Sequence, residues 1–130
     1  MSSIRGFSYL SLKFTKDTID YIQIGSTGNA SDFGDTGAGR GMQDSSGNRT
    51  RMVLTGGSTY EYVTMATTGN ATTFGNYTTN AGLPGVCSNG GGDRMLKAAG
   101  RVSGVNTNVI EYITVSTTGN GTDFGDITVA

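Results

Sequence analysis

The stretch that decides the fold is Ile110-Glu-Tyr-Ile-Thr-Val-Ser-Thr-Thr-Gly-Asn-Gly-Thr-Asp-Phe-Gly-Asp126. Two other segments align with it without gaps: Ile19-Asp-Tyr-Ile-Gln-Ile-Gly-Ser-Thr-Gly-Asn-Ala-Ser-Asp-Phe-Gly-Asp35 and Tyr60-Glu-Tyr-Val-Thr-Met-Ala-Thr-Thr-Gly-Asn-Ala-Thr-Thr-Phe-Gly-Asn76. In every copy the tyrosine lies 12 residues before the phenylalanine, and the three tyrosines are separated by 41 and then 50 residues. Periods of this length are typical of repeated supersecondary units, so the sequence predicts one unit used three times.

A second, looser strand is predicted upstream of each copy, and an arginine begins it. These strands start at Arg5, Arg51 and Arg94, which lie 15, 10 and 17 residues before the acidic residue of the copy that follows. A constant segment with spacers of variable length is typical of strands joined by surface loops. Each unit is therefore predicted to contain a strand, a loop, a second strand, a tight hairpin and a third strand, followed by a glycine-rich crossing.

Composition agrees with an all-β fold and with a thin core. Glycine accounts for 22 of the 130 residues, only 35% of the residues are hydrophobic, and there is no tryptophan. Chains of this kind are poor in helix formers and rich in turn and strand formers. Because so few apolar residues are available, burial against another copy of the chain would help to stabilise the fold.

The tyrosine strand carries apolar groups on both faces. In the third copy Glu111, Ile113 and Val115 point one way, and Ile110, Tyr112 and Thr114 point the other way. A strand covered on one side shows a clean polar face, so this pattern predicts a sheet held between two neighbouring sheets.

Glycines mark two further positions in each unit. The Thr-Gly-Asn tripeptides at 27–29, 68–70 and 118–120 supply residues that accept positive φ, which predicts that they form the tight reversal of the hairpin. The glycine after each repeated phenylalanine is expected to let the backbone bend beside a packed ring.

These motifs resemble a known repeat family. Arg51-Met-Val-Leu-Thr-Gly-Gly57 together with the Ile110–Asp126 segment and the Ile-Thr-Val-Ala that follows it resembles the kelch-like propeller repeat of structural proteins in tailed bacteriophages, including those of marine cyanobacteria. The resemblance covers nearly the whole chain and is weakest near the N-terminus, where Tyr9-Leu10-Ser11 replaces the Gly-Gly pair. It implies four-stranded β-propeller blades.

The number of units in the chain leads to an expectation about how it assembles. Members of the family usually carry six or more units, whereas this chain has three. We divide the single all-β domain 1–130 into units at about 1–36, 37–77 and 78–126, with 127–130 a strand stub that could complete the first blade of another chain. Two chains would then form a closed six-bladed ring, so a homodimer is predicted. The alternative architecture is a β-trefoil, whose three repeats close within one chain.

The repeated side chains are the candidate site residues, and a structural role is expected for all of them. The three acidic side chains of the repeat could surround and bind a cation, or they could act as a general acid and base. The simpler interpretation is that each acid pairs with the arginine that opens the adjacent strand, because a buried carboxylate needs a partner. The twelve positions are Arg5, Arg51, Arg94, Asp20, Glu61, Glu111, Tyr21, Tyr62, Tyr112, Phe33, Phe74 and Phe124.

Several functional classes are disfavoured by the sequence. The net charge of -1 argues against nucleic acid and against a polybasic membrane patch, and no apolar run approaches a membrane span. There is no histidine, and Cys87 is expected to be a small packed residue. No catalytic residue, cofactor or metal ligand is therefore predicted. The N-terminus lacks the pattern of a secretory signal, which predicts synthesis in the cytoplasm of the host.

The resemblance implies a non-enzymatic virion component, either a capsid decoration or part of a tail or fibre, whose partners are itself and other virion proteins. The alternative is a carbohydrate- or cell-surface-binding module that uses the loops Lys13–Thr18, Gly41–Asn48 and Arg101–Asn108, where Phe14 is the only aromatic residue. A host-surface glycan would then be a further partner. An enzyme with its site in a central channel is a third interpretation, and it would require acids that converge there.

Overall fold

The structure is a computed structural model, and it describes residues 5–8, 17–37, 44–89 and 92–128, with residues 5–8 as backbone only. These residues form antiparallel sheets connected by turns and loops, which confirms the predicted all-β class. None of the described residues belongs to a helix long and apolar enough to cross a membrane.

Each repeat forms a sheet of its own. The first sheet has the order β1-β2-β3, the second β4-β5-β6-β7 and the third β8-β9-β12-β13, and all their neighbouring strands are antiparallel. The strands of the first two sheets are β1 Arg5–Ser8, β2 Thr18–Gln23, β3 Ser31–Asp35, β4 Ser45–Gly47, β5 Arg51–Leu54, β6 Thr59–Thr64 and β7 Thr72–Asn76. Those of the third are β8 Gly85–Ser88, β9 Arg94–Ala98, β12 Val109–Thr114 and β13 Thr122–Asp126. We refer to these sheets, with their loops, as units 1, 2 and 3.

A short hairpin distinguishes unit 3 from the other two. Strands β10 (Arg101–Val102) and β11 (Val105–Asn106) pair with each other between β9 and β12. The turn contains Ser103 and Gly104, both with positive φ (50° and 84°). Val102 and Val105 are exposed, and backbone hydrogen bonds between Arg101 and Gly82 tie the hairpin to the rest of unit 3.

A β-bulge recurs at the same place in every unit. The register shifts between Ile19 and Asp20, and at the corresponding residues of the other two units, so the repeated phenylalanine is the extra residue in the last strand. The glycine that follows it has positive φ in units 1 and 3, at 150° for Gly34 and 139° for Gly125. The expected backbone bend beside the ring is thus present, and its form is a bulge.

The position of the predicted reversal was wrong. The chain turns at residues 23–26, 64–67 and 114–117, where the amide of the last residue donates to the carbonyl of the first over 3.4, 3.3 and 3.2 Å. The Thr-Gly-Asn tripeptides come later, in the connections before β3, β7 and β13. Because they do not make the turn, their backbone groups are available for another contact.

The hydrophobic core lies between consecutive sheets. One cluster joins Ile19 and Phe33 of unit 1 to Met52, Leu54 and Val63 of unit 2. The other joins unit 2 to unit 3, and its buried members are Val53, Tyr60, Phe74, Met95, Ile113 and Val115. Unit 2 is therefore covered on both faces, as the apolar pattern predicted.

Burial between sheets makes a prediction about two valines. Val63 is 2% exposed between units 1 and 2, whereas Val105 on the β10–β11 hairpin is 70% exposed. Val63→Ala should lower the free energy of unfolding by about 2 kcal/mol, because it removes buried methyl groups and leaves a cavity. Val105→Ala, the same chemical change at the surface, should alter it by less than about 0.5 kcal/mol. Urea unfolding of both variants measures the difference, and equal effects would contradict a core located between the sheets.

Candidate assembly interface

The last strand of one unit docks on the Thr-Gly-Asn segment of the next. Between units 2 and 3 the Gly119 amide donates to the Phe74 carbonyl (N–O 3.0 Å), and the Gly121 amide donates to the Asn76 carbonyl (2.8 Å). The Asn76 amide in turn donates to the side-chain oxygen of Asn120 at 3.0 Å. Together these bonds satisfy three backbone groups on an edge strand that would otherwise lack partners.

The same three bonds hold unit 1 to unit 2. The Gly69 amide donates to the Phe33 carbonyl and the Ala71 amide donates to the Asp35 carbonyl, both over 2.7 Å. The Asp35 amide donates to Asn70 Oδ1 at 3.0 Å. We call the contact between units 1 and 2 the first joint and that between units 2 and 3 the second joint. Their identical bonding assigns the constant asparagine of the repeat a specific role as an acceptor between units.

Close backbone approach at the joints requires glycine after the phenylalanine. A Cβ on Gly34 would lie 2.4 Å from the Gly69 carbonyl oxygen, and a Cβ on Gly75 would lie 2.0 Å from that of Gly119. Both distances are far below van der Waals contact with a rigid backbone atom. Any larger residue at these positions would therefore force the units apart.

The first strands of units 2 and 3 also meet. Ser46 Oγ lies 2.9 Å from Ser88 Oγ, and the Val86 amide donates to Asp44 Oδ2 over 3.1 Å. Asn48 Nδ2 donates to Asp93 Oδ1 at 3.0 Å. The second joint is thus bonded at both edges of the two sheets, with the apolar cluster between them.

The predicted pairing of arginines with the repeated acids was wrong for Arg51 and Arg94. Each guanidinium packs over the tyrosine of its own unit, with its central carbon 4.6 Å from the Tyr62 centroid and 4.3 Å from that of Tyr112. The strand register explains the difference, because it places Arg51 opposite Thr64 and Glu61 opposite Leu54, and the third unit follows the same register. The side chain of Arg5 lies outside the described residues.

Arg51 also crosses the second joint. Its guanidinium donates to the carbonyl oxygens of Val115 and Ser116, over 3.1 and 2.9 Å. An arginine can hold an aromatic face and two carbonyls at once because its planar fork carries several donors. The arginine that opens the second strand of a unit is therefore a contact to the following unit.

The repeated acids accept hydrogen bonds from the segment that directly follows the last strand of the preceding unit. Glu61, which is buried, accepts from the Gly37 amide at 3.1 Å. Glu111 accepts from the Thr78 amide at 2.6 Å and from the Thr78 hydroxyl. Gly37 and Thr78 both lie four residues after the repeated phenylalanine, so the contact is the same at the two joints. Asp20, the acid of unit 1, is exposed.

The second joint contains a buried ion pair as well. Lys97 Nζ lies 2.7 Å from Glu111 Oε1, and the two residues are 3% and 1% exposed. The same ammonium donates to the Thr79 carbonyl (2.8 Å) and lies 4.5 Å from the Tyr77 ring centroid. Tyr60 donates its hydroxyl to Glu111 Oε1 at 3.0 Å. The charged and hydroxyl groups of Lys97, Glu111 and Tyr60 are therefore each paired with a complementary group, as burial of a charge requires.

These contacts shift the protonation equilibria of the cluster. Burial alone would raise the pKa of the Glu111 carboxyl, but the hydrogen bonds from Lys97 and Thr78 outweigh it and hold the pKa below its ordinary value. Burial and the neighbouring carboxylate raise the pKa of the Tyr60 hydroxyl, which stays a hydrogen-bond donor. The cluster is thus a fixed carboxylate with donors around it, and all these donors come from units 2 and 3.

The repeated aromatic residues divide between the joints and one open face. Tyr21, Tyr62 and Tyr112 each meet the phenylalanine of their own unit edge to face, at centroid distances of 6.0, 5.8 and 6.2 Å. Phe33 and Phe74 are each 3% exposed within the two joints. Phe124 is 53% exposed, although it occupies the same position in the repeat. The joints, and not the units themselves, bury this ring.

Two other expectations concern positions outside the joints. Cys87 was expected to be packed, but it is exposed on β8, between the half-buried residues Val86 and Ser88. Of the three loops proposed for carbohydrate binding, only Arg101–Asn108 lies wholly within the described residues, where it forms the β10–β11 hairpin. Phe14 lies outside them. No group of three or more cysteine and acidic side chains in the described ranges could hold a metal ion.

Sequence reasoning did not identify Lys97 or Thr78. Lys97 lies on β9 where β5 has Leu54, so the repeat alignment shows a lysine in an apolar position. That exchange was the available signal, since a lysine at a core position needs a carboxylate. Comparison with known proteins adds no homologue: no protein-family model matches the chain, and no curated protein matches it significantly.

The joints predict a sharp difference between two glycines. Gly75→Ala should lower the free energy of unfolding by about 1–3 kcal/mol or more, because its new methyl group collides with the Gly119 carbonyl. Gly119→Ala, at the same joint, places its methyl group in open space and should cost less than about 1 kcal/mol. Chemical denaturation measures both values. A neutral Gly75→Ala would show that the sheets do not approach as described.

The ion pair predicts a pH dependence of known sign. Because the pKa of Glu111 is lowered from 4.5, its contribution to stability is present above pH 4.5 and is lost as the pH falls through the lowered value. Lys97→Leu, which copies unit 2, should destabilise the chain by about 3–5 kcal/mol at pH 7 because it leaves a buried carboxylate without its cation.

In that variant burial raises the pKa of Glu111, so lowering the pH from 7 to 5 should restore stability, opposite to the wild type. Lys97→Leu combined with Glu111→Gln is the control, and it should remove this reversed dependence. Thermal unfolding across pH 3–7 provides the measurement. An unchanged pH profile in Lys97→Leu would contradict the assignment.

Proposed function

We propose that the chain is a non-enzymatic structural protein of a tailed-phage virion, as a capsid decoration or a part of a tail or fibre, and that it assembles as a β-propeller. The observation that carries this proposal is the joint, which is built twice from the same backbone bonds and the same repeat positions. The repeated residues serve to attach one unit to the next. The assignment to a virion rests on the family resemblance of the repeat.

Two features favour propeller blades over a β-trefoil. Each repeat makes its own antiparallel sheet in which sequential strands are neighbours, apart from the inserted hairpin of unit 3. Consecutive sheets pack face to face through apolar clusters, and the first strands of units 2 and 3 also lie against each other. Blades of a propeller are related in this way. Three blades are half of a six-bladed ring, so the functional form that we propose is a homodimer.

The buried polar groups support a structural role. Glu111 is the most enclosed acid of the repeat, and its oxygens accept from Lys97, Tyr60 and Thr78. With its oxygens occupied by these three donors, the carboxylate serves to join units 2 and 3. Its arrangement fits an element of assembly better than a general acid or base, which needs access to a substrate.

Two measurements test the proposal. Sedimentation velocity should give twice the chain mass of 13.4 kDa, because two chains of three blades complete the proposed six-bladed ring. Mass spectrometry of purified particles of the encoding phage should detect the chain in a fixed ratio to the major capsid protein. A single-chain mass at high protein concentration would contradict the ring, and absence from intact particles would contradict the virion role.

A further inference from the structure

The outer faces of units 1 and 3 leave exposed the side chains whose counterparts are buried at the two joints. Phe124 of unit 3 is 53% exposed, whereas Phe33 and Phe74 are 3% exposed at the joints. At the opposite end Ile22 and Ile24 of unit 1 are 39% and 61% exposed. Their counterparts in units 2 and 3 are buried or half-buried: Val63 (2%), Met65, Ile113 (2%) and Val115 (0%). Each outer face therefore carries half of a joint.

We propose that these two faces bind each other between two copies of the chain, head to tail, through a third joint of the same construction. This inference rests on the proposed assembly and specifies its contact surface. The forward face of unit 3 consists of Arg94, Ile110, Phe124, Asp126 and Thr128. The rear face of unit 1 consists of Asp20, Ile22, Ile24, Gly28 and Asn29.

The backbone bonds of the third joint follow from the repeat. The Gly28 amide of one copy would donate to the Phe124 carbonyl of the other, as Gly69 and Gly119 do at the two joints within the chain. The Asp126 amide would donate to Asn29 Oδ1, in the manner of Asn70 and Asn120. Within one copy of the chain, the Gly28 amide does not bond to the Phe124 carbonyl, and the Asp126 amide does not bond to Asn29 Oδ1.

Arg94 supplies a donor that matches the rear face. Its repeat equivalent, Arg51, packs over Tyr62 and donates to the carbonyls of Val115 and Ser116 in the next unit. Arg94 already lies over Tyr112, 4.3 Å from the ring centroid. In unit 1 the equivalents of Val115 and Ser116 are Ile24 and Gly25, so the Arg94 guanidinium would donate to these two carbonyls.

The acid of unit 1 completes the match. Glu61 and Glu111 accept from the residue that lies four positions after the phenylalanine of the preceding unit. In unit 3 that residue is Thr128, which offers an amide and a hydroxyl as Thr78 does. Asp20 is exposed and would accept from it. Each donor on one face thus meets an acceptor on the other and the two faces differ, which makes the joint head to tail and not a contact between like faces.

A second copy is the occupant that this geometry favours. Within one chain the forward face of unit 3 and the rear face of unit 1 are both exposed, so they do not cover each other. Each face presents the polar groups that the other lacks, in the order that the internal joints use. Closure of the rotation after a small number of copies gives a ring without free edges.

Complementation between two variants tests the pairing of unlike faces. Phe124→Arg places a charge in the forward face and leaves the rear face intact. Ile24→Arg places a charge in the rear face and leaves the forward face intact. Each variant alone should sediment as a single chain, and a 1:1 mixture should form a two-chain complex through the one intact joint. Val105→Arg, on the exposed hairpin, is the matched control and should keep the wild-type mass. Circular dichroism checks that each variant is folded.

Each outcome of this experiment decides a separate point. A wild-type chain that is monomeric overturns both the ring and the third joint. A wild-type oligomer that survives both substitutions overturns the third joint and leaves the proposed assembly standing. Dissociation by only one of the two variants, or a mixture that does not associate, overturns the head-to-tail pairing.

A pair of asparagines provides a milder test that does not threaten folding. Asn29→Ala should weaken association about 25- to 100-fold, because the proposed two-chain ring contains this hydrogen bond twice and each loss costs about five- to tenfold. It should leave the midpoint of chain unfolding under dissociating conditions unchanged. Asn120→Ala removes the same bond at the second joint, so it should lower that midpoint while the association constant changes less. If Asn29→Ala leaves the association constant unaltered, the proposed contact is wrong.

Discussion

The structure depends on the pairing of one unit's edge strand with the Thr-Gly-Asn segment of the next. A small antiparallel sheet leaves amides and carbonyls unpaired along its outer strand, and water or another chain must satisfy them. In this chain the next unit does so through three bonds that recur at both joints. The joint also brings two apolar faces together, and these faces contain most of the buried residues. Secondary structure and hydrophobic burial are therefore achieved by the same contact.

This constraint explains the constant part of the repeat in physical terms. The phenylalanine is the extra residue of a bulge, and its ring enters the apolar layer of the joint. The glycine allows the approach of a neighbouring carbonyl that a Cβ would block. The following Asp or Asn contributes its backbone, so either side chain serves at that position. The β10–β11 hairpin, which lengthens the spacer of unit 3, lies outside these contacts, where an insertion is tolerated.

The two joints are alike in backbone and unlike in their polar chemistry. At the first, Glu61 lies across from Leu54 on the adjacent strand; at the second, Glu111 lies across from Lys97 and forms an ion pair with it. A buried pair of this kind adds little net stability, but loss of either partner is costly. The second joint is therefore sensitive to substitution of Lys97 or Glu111 and to acid.

The sequence by itself determined the repeat, the all-β class and the two-sided burial of the tyrosine strand, because each follows from local periodicity and residue type. It did not reveal that Thr-Gly-Asn binds the neighbouring unit, since a glycine-rich tripeptide after a strand has the same composition as a turn. Nor did it place the arginines correctly, because partners across a sheet depend on register, and one bulge changes which residues face each other. The tertiary structure decided these points, together with the exposure of Cys87 and Phe124. Burial of a side chain in a stacked fold depends on whether a neighbouring unit is present, and identical residues in identical local structure can differ in that respect.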